Sequence, residues 1–99
     1  MPAEQVTVVV RIKARRETKA RVHQELQQLL APTRREQGCI NYDMHVAKDD
    51  DTLFLFHENW TSESDLNHHL AAHHVKRWID LAPSLLAERM ELTLWHRVV

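Results

Sequence analysis

Glycine is almost missing from this chain: Gly38 is the only one in 99 residues. A single glycine cannot build the loop that cradles a dinucleotide phosphate, so no flavin or nicotinamide site is expected. One cysteine, Cys39, excludes an intrachain disulfide and fits a reducing compartment. No apolar run approaches 20 residues, and Met1 to Val6 lack a basic region leading into an apolar one. Neither a membrane span nor a signal peptide is expected, and a cytoplasmic protein is the default. Excess charge is missing too. The formal net charge is −1, which gives no electrostatic reason to propose nucleic acid or an anionic membrane as partner. Arg15-Arg16 and Arg34-Arg35 read as solvated element ends. Asp49-Asp50-Asp51 reads as a hairpin tip, because three acids in a row lack the remaining ligands of a calcium loop.

What is present patterns clearly. The length suits one domain, 1–99. Gln5 to Arg15 alternates, with Val6, Val8, Val10 and Ile12 on one side, and predicts a strand. Glu17 to Thr33 carries Val22, Leu26, Leu29 and Leu30 on a helical stripe, disturbed by Pro32. Gly38 turns the chain into a second strand, Cys39 to Ala47, with Ile40, Tyr42, Met44 and Val46 on one face. A charged loop, 48–51, leads into a third strand, Thr52 to Trp60, and the two strands read as an antiparallel hairpin. Thr61 or Ser62 can cap a helix that follows, with a break near Ala71-Ala72 and a kink or restart at Pro83. Glu88 to Val99 alternates once more.

The order β-α-β-β-α-β predicts an α+β, ferredoxin-like fold: a four-stranded antiparallel sheet with both helices on one face. The other face then needs cover. It holds Val9, either Leu53 and Leu55 or Phe54 and Phe56, and either Trp95 or Leu92 and Leu94. A second copy is the natural cover, so a homodimer is expected.

Three patches carry a family resemblance. Glu36-Gln37-Gly38-Cys39-Ile40-Asn41-Tyr42 is similar to a Glu-x-Gly-Cys-x-x-Tyr turn; Phe56-His57-Glu58-Asn59-Trp60 resembles a Phe-x-Glu-x-Trp strand end. Leu66 to Val75 resembles a Leu-x-x-His-(x)4-His-hydrophobic segment, with the histidines at His69 and His74. Together they resemble the antibiotic biosynthesis monooxygenase family of dimeric α/β barrels. The resemblance implies a homodimer and a small-molecule pocket. Family members include cofactor-free oxygenases of quinols and polycyclic phenols, a sugar-phosphate isomerase and haem-degrading enzymes. The chain departs from the pattern in placing Arg15-Arg16-Glu17 where a glycine often follows the first strand. It also offers no clear partner asparagine for the tryptophan, since Asn59 points away from Trp60.

Trp60 is a stacking wall for a planar ring, with its indole N–H free to donate, or else a core tryptophan. His69 is the candidate base and catalytic residue beside Trp60, because imidazole can take a phenolic proton near neutral pH. His74, Tyr42, Phe56 and Leu66 are candidate substrate-binding residues. His69 and His73, four apart on a helix, can chelate, but two ligands do not make a closed site, and no resident metal or other cofactor is expected. Cys39 reads as a small buried filler. The first reading is a cofactor-independent monooxygenase-like enzyme oxidising a quinol or related electron-rich aromatic with O2. The alternatives are a non-catalytic dimeric module holding an aromatic or hydrophobic small molecule, or an isomerase of a small sugar derivative.

Overall fold

A computed structural model describes residues 4–99. Four strands, β1 (Val6–Lys13), β2 (Cys39–Ala47), β3 (Asp50–Trp60) and β4 (Glu91–Trp95), form one antiparallel sheet in the order β2-β3-β1-β4. Helices α1 (Lys19–Gln27), α2 (Leu30–Arg34), α3 (Glu63–Leu70) and α4 (His73–Leu85) fill the two crossovers. This is the ferredoxin-like α+β arrangement. No helix among the described residues is long and apolar enough to cross a membrane.

The register decides which side chains meet. β1 and β3 pair Val8 with Glu58, Val10 with Phe56 and Ile12 with Phe54. Opposed residues share a face, and this face lies under the helices: Val8, Ile12, Phe54, Phe56 and Trp60 are at most 2% exposed. Val22 and Leu26 of α1 and Trp78, Ala82 and Leu85 of α4 close over them. Phe54 and Phe56 are therefore core, and Leu53 and Leu55 lie half-buried on the helix-free face with Val9. Trp95 is on that face too, because its neighbour Leu94 pairs with Val8. α1 also buries a charge. Glu25 accepts from Arg21 Nε at 3.0 Å and from Arg77 Nη1 of α4 at 2.7 Å. These two arginines hold its carboxyl below the usual range against the opposing effect of burial.

Several expectations need correction. The helix expected over Glu17 to Thr33 is broken into a 3₁₀ turn (Arg16–Thr18), α1 and α2. Pro32 sits inside the first turn of α2, where no intrahelical N–H bond is lost. α4 runs through Pro83 but ends two residues later. Ile40 does not share the face of Tyr42. A bulge between Cys39 and Asn41 turns it outward, 51% exposed. β4 stops at Trp95, so the alternation of its last residues is not strand. Asp50 and Asp51 belong to β3 rather than to the loop, and Asp50 is tied to Lys13 of β1 at 2.5 Å.

Gly38 earns its position twice. Its φ is +82°, in the left-handed region. A Cβ there would lie 2.3 Å from Asp65 Oδ2 and 2.6 Å from Asp65 Cβ, at the first turn of α3. Gly38→Ala should therefore lower unfolding free energy by about 2 kcal/mol or more in urea titrations. An unchanged midpoint and slope would show that the turn tolerates a side chain.

Candidate functional site

Helix α3 begins where Ser62 Oγ accepts the Asp65 N–H at 3.1 Å, and Glu63 and Asp65 favour its positive end. Leu66 and His69, three residues apart, then face the sheet and are buried. α3 stops at Leu70, Ala72 is extended (φ −69°, ψ 147°), and α4 restarts at His73. The jog leaves His68 and His73 exposed. It brings His74 to 6.1 Å from His69, ring centre to ring centre.

His69, only 3% exposed, is fixed on three sides. The Trp60 ring lies 4.7 Å away at 32°, and Tyr42 meets it edge-on at 5.4 Å. Its Nδ1 stands 3.0 Å from Glu36 Oε2, in the turn before β2. The other carboxylate oxygen, Glu36 Oε1, is 2.8 Å from His74 Nε2, which also lies 3.0 Å from Thr33 Oγ1. The imidazole N–H groups donate to the carboxylate. No fully enclosed side-chain nitrogen or oxygen among the described residues lacks a partner, and His69 Nε2 makes no hydrogen bond to any of them. That nitrogen is therefore open to the adjacent cavity, as an acceptor.

The cavity measures about 240 Å³. Val10, Leu29, Phe56, Val75, Trp78 and Met90 supply apolar walls, and Tyr42, Glu58 and His69 are its titratable lining groups. Glu58 is 3% exposed and accepts the Trp60 indole N–H at 2.9 Å. Burial pushes its carboxyl up to about 7, the Trp60 hydrogen bond opposing and the Glu36 charge adding. Burial, helped by His74, holds His69 down to about 4, so it is a neutral imidazole near pH 7. Burial raises Glu36 and lowers His74. Tyr42 is raised by burial and by Glu58, so it stays a phenol. Cys39 is raised by burial and the nearby acids, so it is a thiol rather than a nucleophilic thiolate.

Of the residues singled out in the sequence, His69, Tyr42 and Phe56 line the cavity. Trp60, His74 and Leu66 do not. Trp60 is fully buried with its N–H engaged by Glu58, so it backs His69 instead of offering a free wall to a ligand. Leu66 is core, and His74 stands behind His69 on Glu36. His73, paired with His69 by helical spacing alone, points outward. Sequence reasoning missed Glu36, Glu58 and Thr33 as site residues. Glu58 had left a signal, an acid on the inward side of an otherwise apolar strand.

The profile of the antibiotic biosynthesis monooxygenase family matches residues 5–81. The chain belongs to this family. The uncharacterized protein sll1783 of Synechocystis is 28% identical over 90 residues, 91% of this chain but 61% of that protein. The chain thus spans under two thirds of that relative's length. Rv0793 of Mycobacterium tuberculosis is 28% identical over 89 residues, 90% of this chain and 87% of its own. The crystal structure of PA3566 from Pseudomonas aeruginosa superposes with a TM-score of 0.92 at 27% identity, covering 100% of this chain and 99% of that one.

The Glu58 shift has a consequence for stability. A carboxyl raised by burial favours the folded state while protonated, below its ordinary 4.5, and that support is lost as pH rises through about 7. Glu58→Gln keeps an acceptor for the Trp60 N–H and removes the titration. Its stability relative to the parent should rise between pH 5 and pH 8.5 by on the order of 2–3 kcal/mol in urea unfolding. A pH-independent difference would place the Glu58 shift elsewhere.

Proposed function

We propose that this chain is a monooxygenase-like enzyme that oxidises a quinol or related electron-rich aromatic with O2, without a resident redox cofactor. The observation that carries the reading is His69, a buried neutral imidazole whose Nδ1–H is held by Glu36 and whose Nε2 opens on an apolar cavity. Such a group takes a phenolic proton, and the carboxylate behind it stabilises the imidazolium as it forms. The family to which the chain belongs supports an oxygenase over other uses of the fold.

The chemistry needs little more. A deprotonated quinol is its own electron source. With one O2, a ring C–H becomes C–OH, the quinol becomes a hydroxyquinone, and the second oxygen atom leaves as water. The cavity of about 240 Å³ takes one or two fused rings, given that a cavity of about 150 Å³ accepts benzene. Phe56 and Tyr42, stacked at 4.7 Å, form its aromatic wall. His69 is the catalytic base in this reading. Glu58, near neutrality, handles the second hydroxyl's proton, and Trp60 is a positioning residue that holds both.

Oxygen uptake with a panel of mono- and bicyclic quinols, in metal-free buffer, tests the reading. His69→Ala should lower turnover by about 10²–10⁴-fold while the protein stays folded. Undiminished turnover would remove His69 from the chemistry. Stoichiometric quinol binding without oxygen uptake would fit a ligand-holding module instead.

We also infer a homodimer closed over the helix-free face. Val9, Leu53 and Leu55 are half-buried there, and Trp95 is 57% exposed. An apolar patch of this kind on a sheet marks an interface. Sedimentation equilibrium at low micromolar concentration should give twice the chain mass, and Leu55→Arg should give a monomer. A parent protein that sediments as a monomer contradicts the inference.

A further inference from the structure

Glu36 is set apart by what does not neutralise it. The fold buries Glu25 with two arginines. Among the described residues no lysine or arginine pairs with Glu36, whose carboxylate meets only His69 and His74. Its Oε1 faces both rings, His74 Nε2 at 2.8 Å and His69 Nδ1 at 3.2 Å, while Oε2 lies 3.0 Å from His69 Nδ1, and one donor atom from each of the three residues lies within 4.8 Å of the others. Around a bound first-row metal ion, with bonds near 2.0–2.2 Å, neighbouring ligand atoms stand about 3.0–3.4 Å apart. The two carboxylate edges of this triangle are already close to that spacing. Thr33 Oγ1, 3.0 Å from His74 Nε2, adds a hydroxyl at the rim. Glu36 and His74 are part-exposed, 19% and 26% at the side chain, which gives an ion a way in.

We propose that Glu36, His69 and His74 form a binding site for a divalent first-row transition metal ion. Two imidazole nitrogens and a carboxylate are a borderline donor set that suits zinc, iron(II), cobalt or nickel, and they leave coordination positions for water. The ion supplies the positive charge that the Glu36 carboxylate lacks. Only His69 of the three also lines the cavity, so occupancy reaches the cavity through its ring. Metal on Nδ1 displaces the proton from that nitrogen. The neutral ring then carries it on Nε2, and a proton acceptor toward the cavity becomes a donor. This second step rests on the proposed function. There, metal loading switches off base-dependent turnover, and chelation restores it.

Calorimetric titration of Zn²⁺ into the metal-stripped chain tests the site directly. One ion per chain is expected, with Glu36→Gln and His74→Ala each weakening affinity by about 10–100-fold. His73→Ala should leave affinity unchanged, because His73 lies exposed outside the triangle. Co²⁺ in place of Zn²⁺ should show d–d bands stronger than those of the aqueous ion, and Glu36→Gln should weaken them. Thermal unfolding of each variant confirms that it is folded. Absence of binding, or binding that survives Glu36→Gln and is lost in His73→Ala, overturns the proposal. Oxygen uptake is measured separately. A chain that binds Zn²⁺ but consumes no oxygen keeps the metal site and loses the oxygenase reading. A chain whose quinol turnover ignores Zn²⁺ despite one bound ion refutes the coupling through His69.

Discussion

The contact between the Glu36 carboxylate and His69 Nδ1, 3.0 Å long, sets the character of the whole site. It fixes the tautomer of a buried imidazole, and through the tautomer it decides what faces the cavity. A neutral histidine without partners carries its proton mainly on Nε2, by a small margin that one hydrogen bond can reverse. With a carboxylate on Nδ1, the proton belongs there and Nε2 is left as the acceptor. Trp60 against one face and Tyr42 at the edge keep the ring from rotating out of that arrangement.

The same layer shows two ways of placing an acid inside a small domain. Glu25 is matched by two arginines and its carboxyl is lowered, which makes it a structural link between α1 and α4. Glu58 receives one indole N–H and, among the described residues, pairs with no cation, and burial raises it to about 7. A carboxyl raised by burial in a cleft is the kind of group that marks a candidate site. Glu58 and His69 share the cavity lining with apolar side chains, a low-dielectric setting in which each hydrogen bond counts for more.

How much of this was legible in the sequence depends on the range of the interaction. Alternation in β2 and β3, the Ser62 cap and the break at Ala71-Ala72 are local signals, and the structure has them. The break in the first helix was not legible, because the apolar stripe continues through Leu29 and Leu30 across it. The bulge at Ile40 was hidden for a related reason, since alternation cannot reveal one extra residue. His69 was identified by its resemblance to a family motif, but its partner was not. Glu36 lies 33 residues away in a turn, and no periodicity links a turn to a helix face. Helical spacing alone pairs His69 with His73, but the jog between α3 and α4 turns His73 out and brings in His74, which the family resemblance singles out beside His69. Trp60 could be read as a ring-stacking wall or as a core tryptophan; its indole is buried and backs the histidine, and the cavity lies beyond.

What faces the cavity is decided by one proton on one ring. Nitrogen-15 NMR of the histidine rings in metal-free protein at pH 7 reads it directly. His69, assigned through a His69→Gln variant, should be a neutral imidazole with a protonated Nδ1 and an unprotonated Nε2. A His69 signal from an imidazolium, or from a neutral ring protonated at Nε2, would contradict the account.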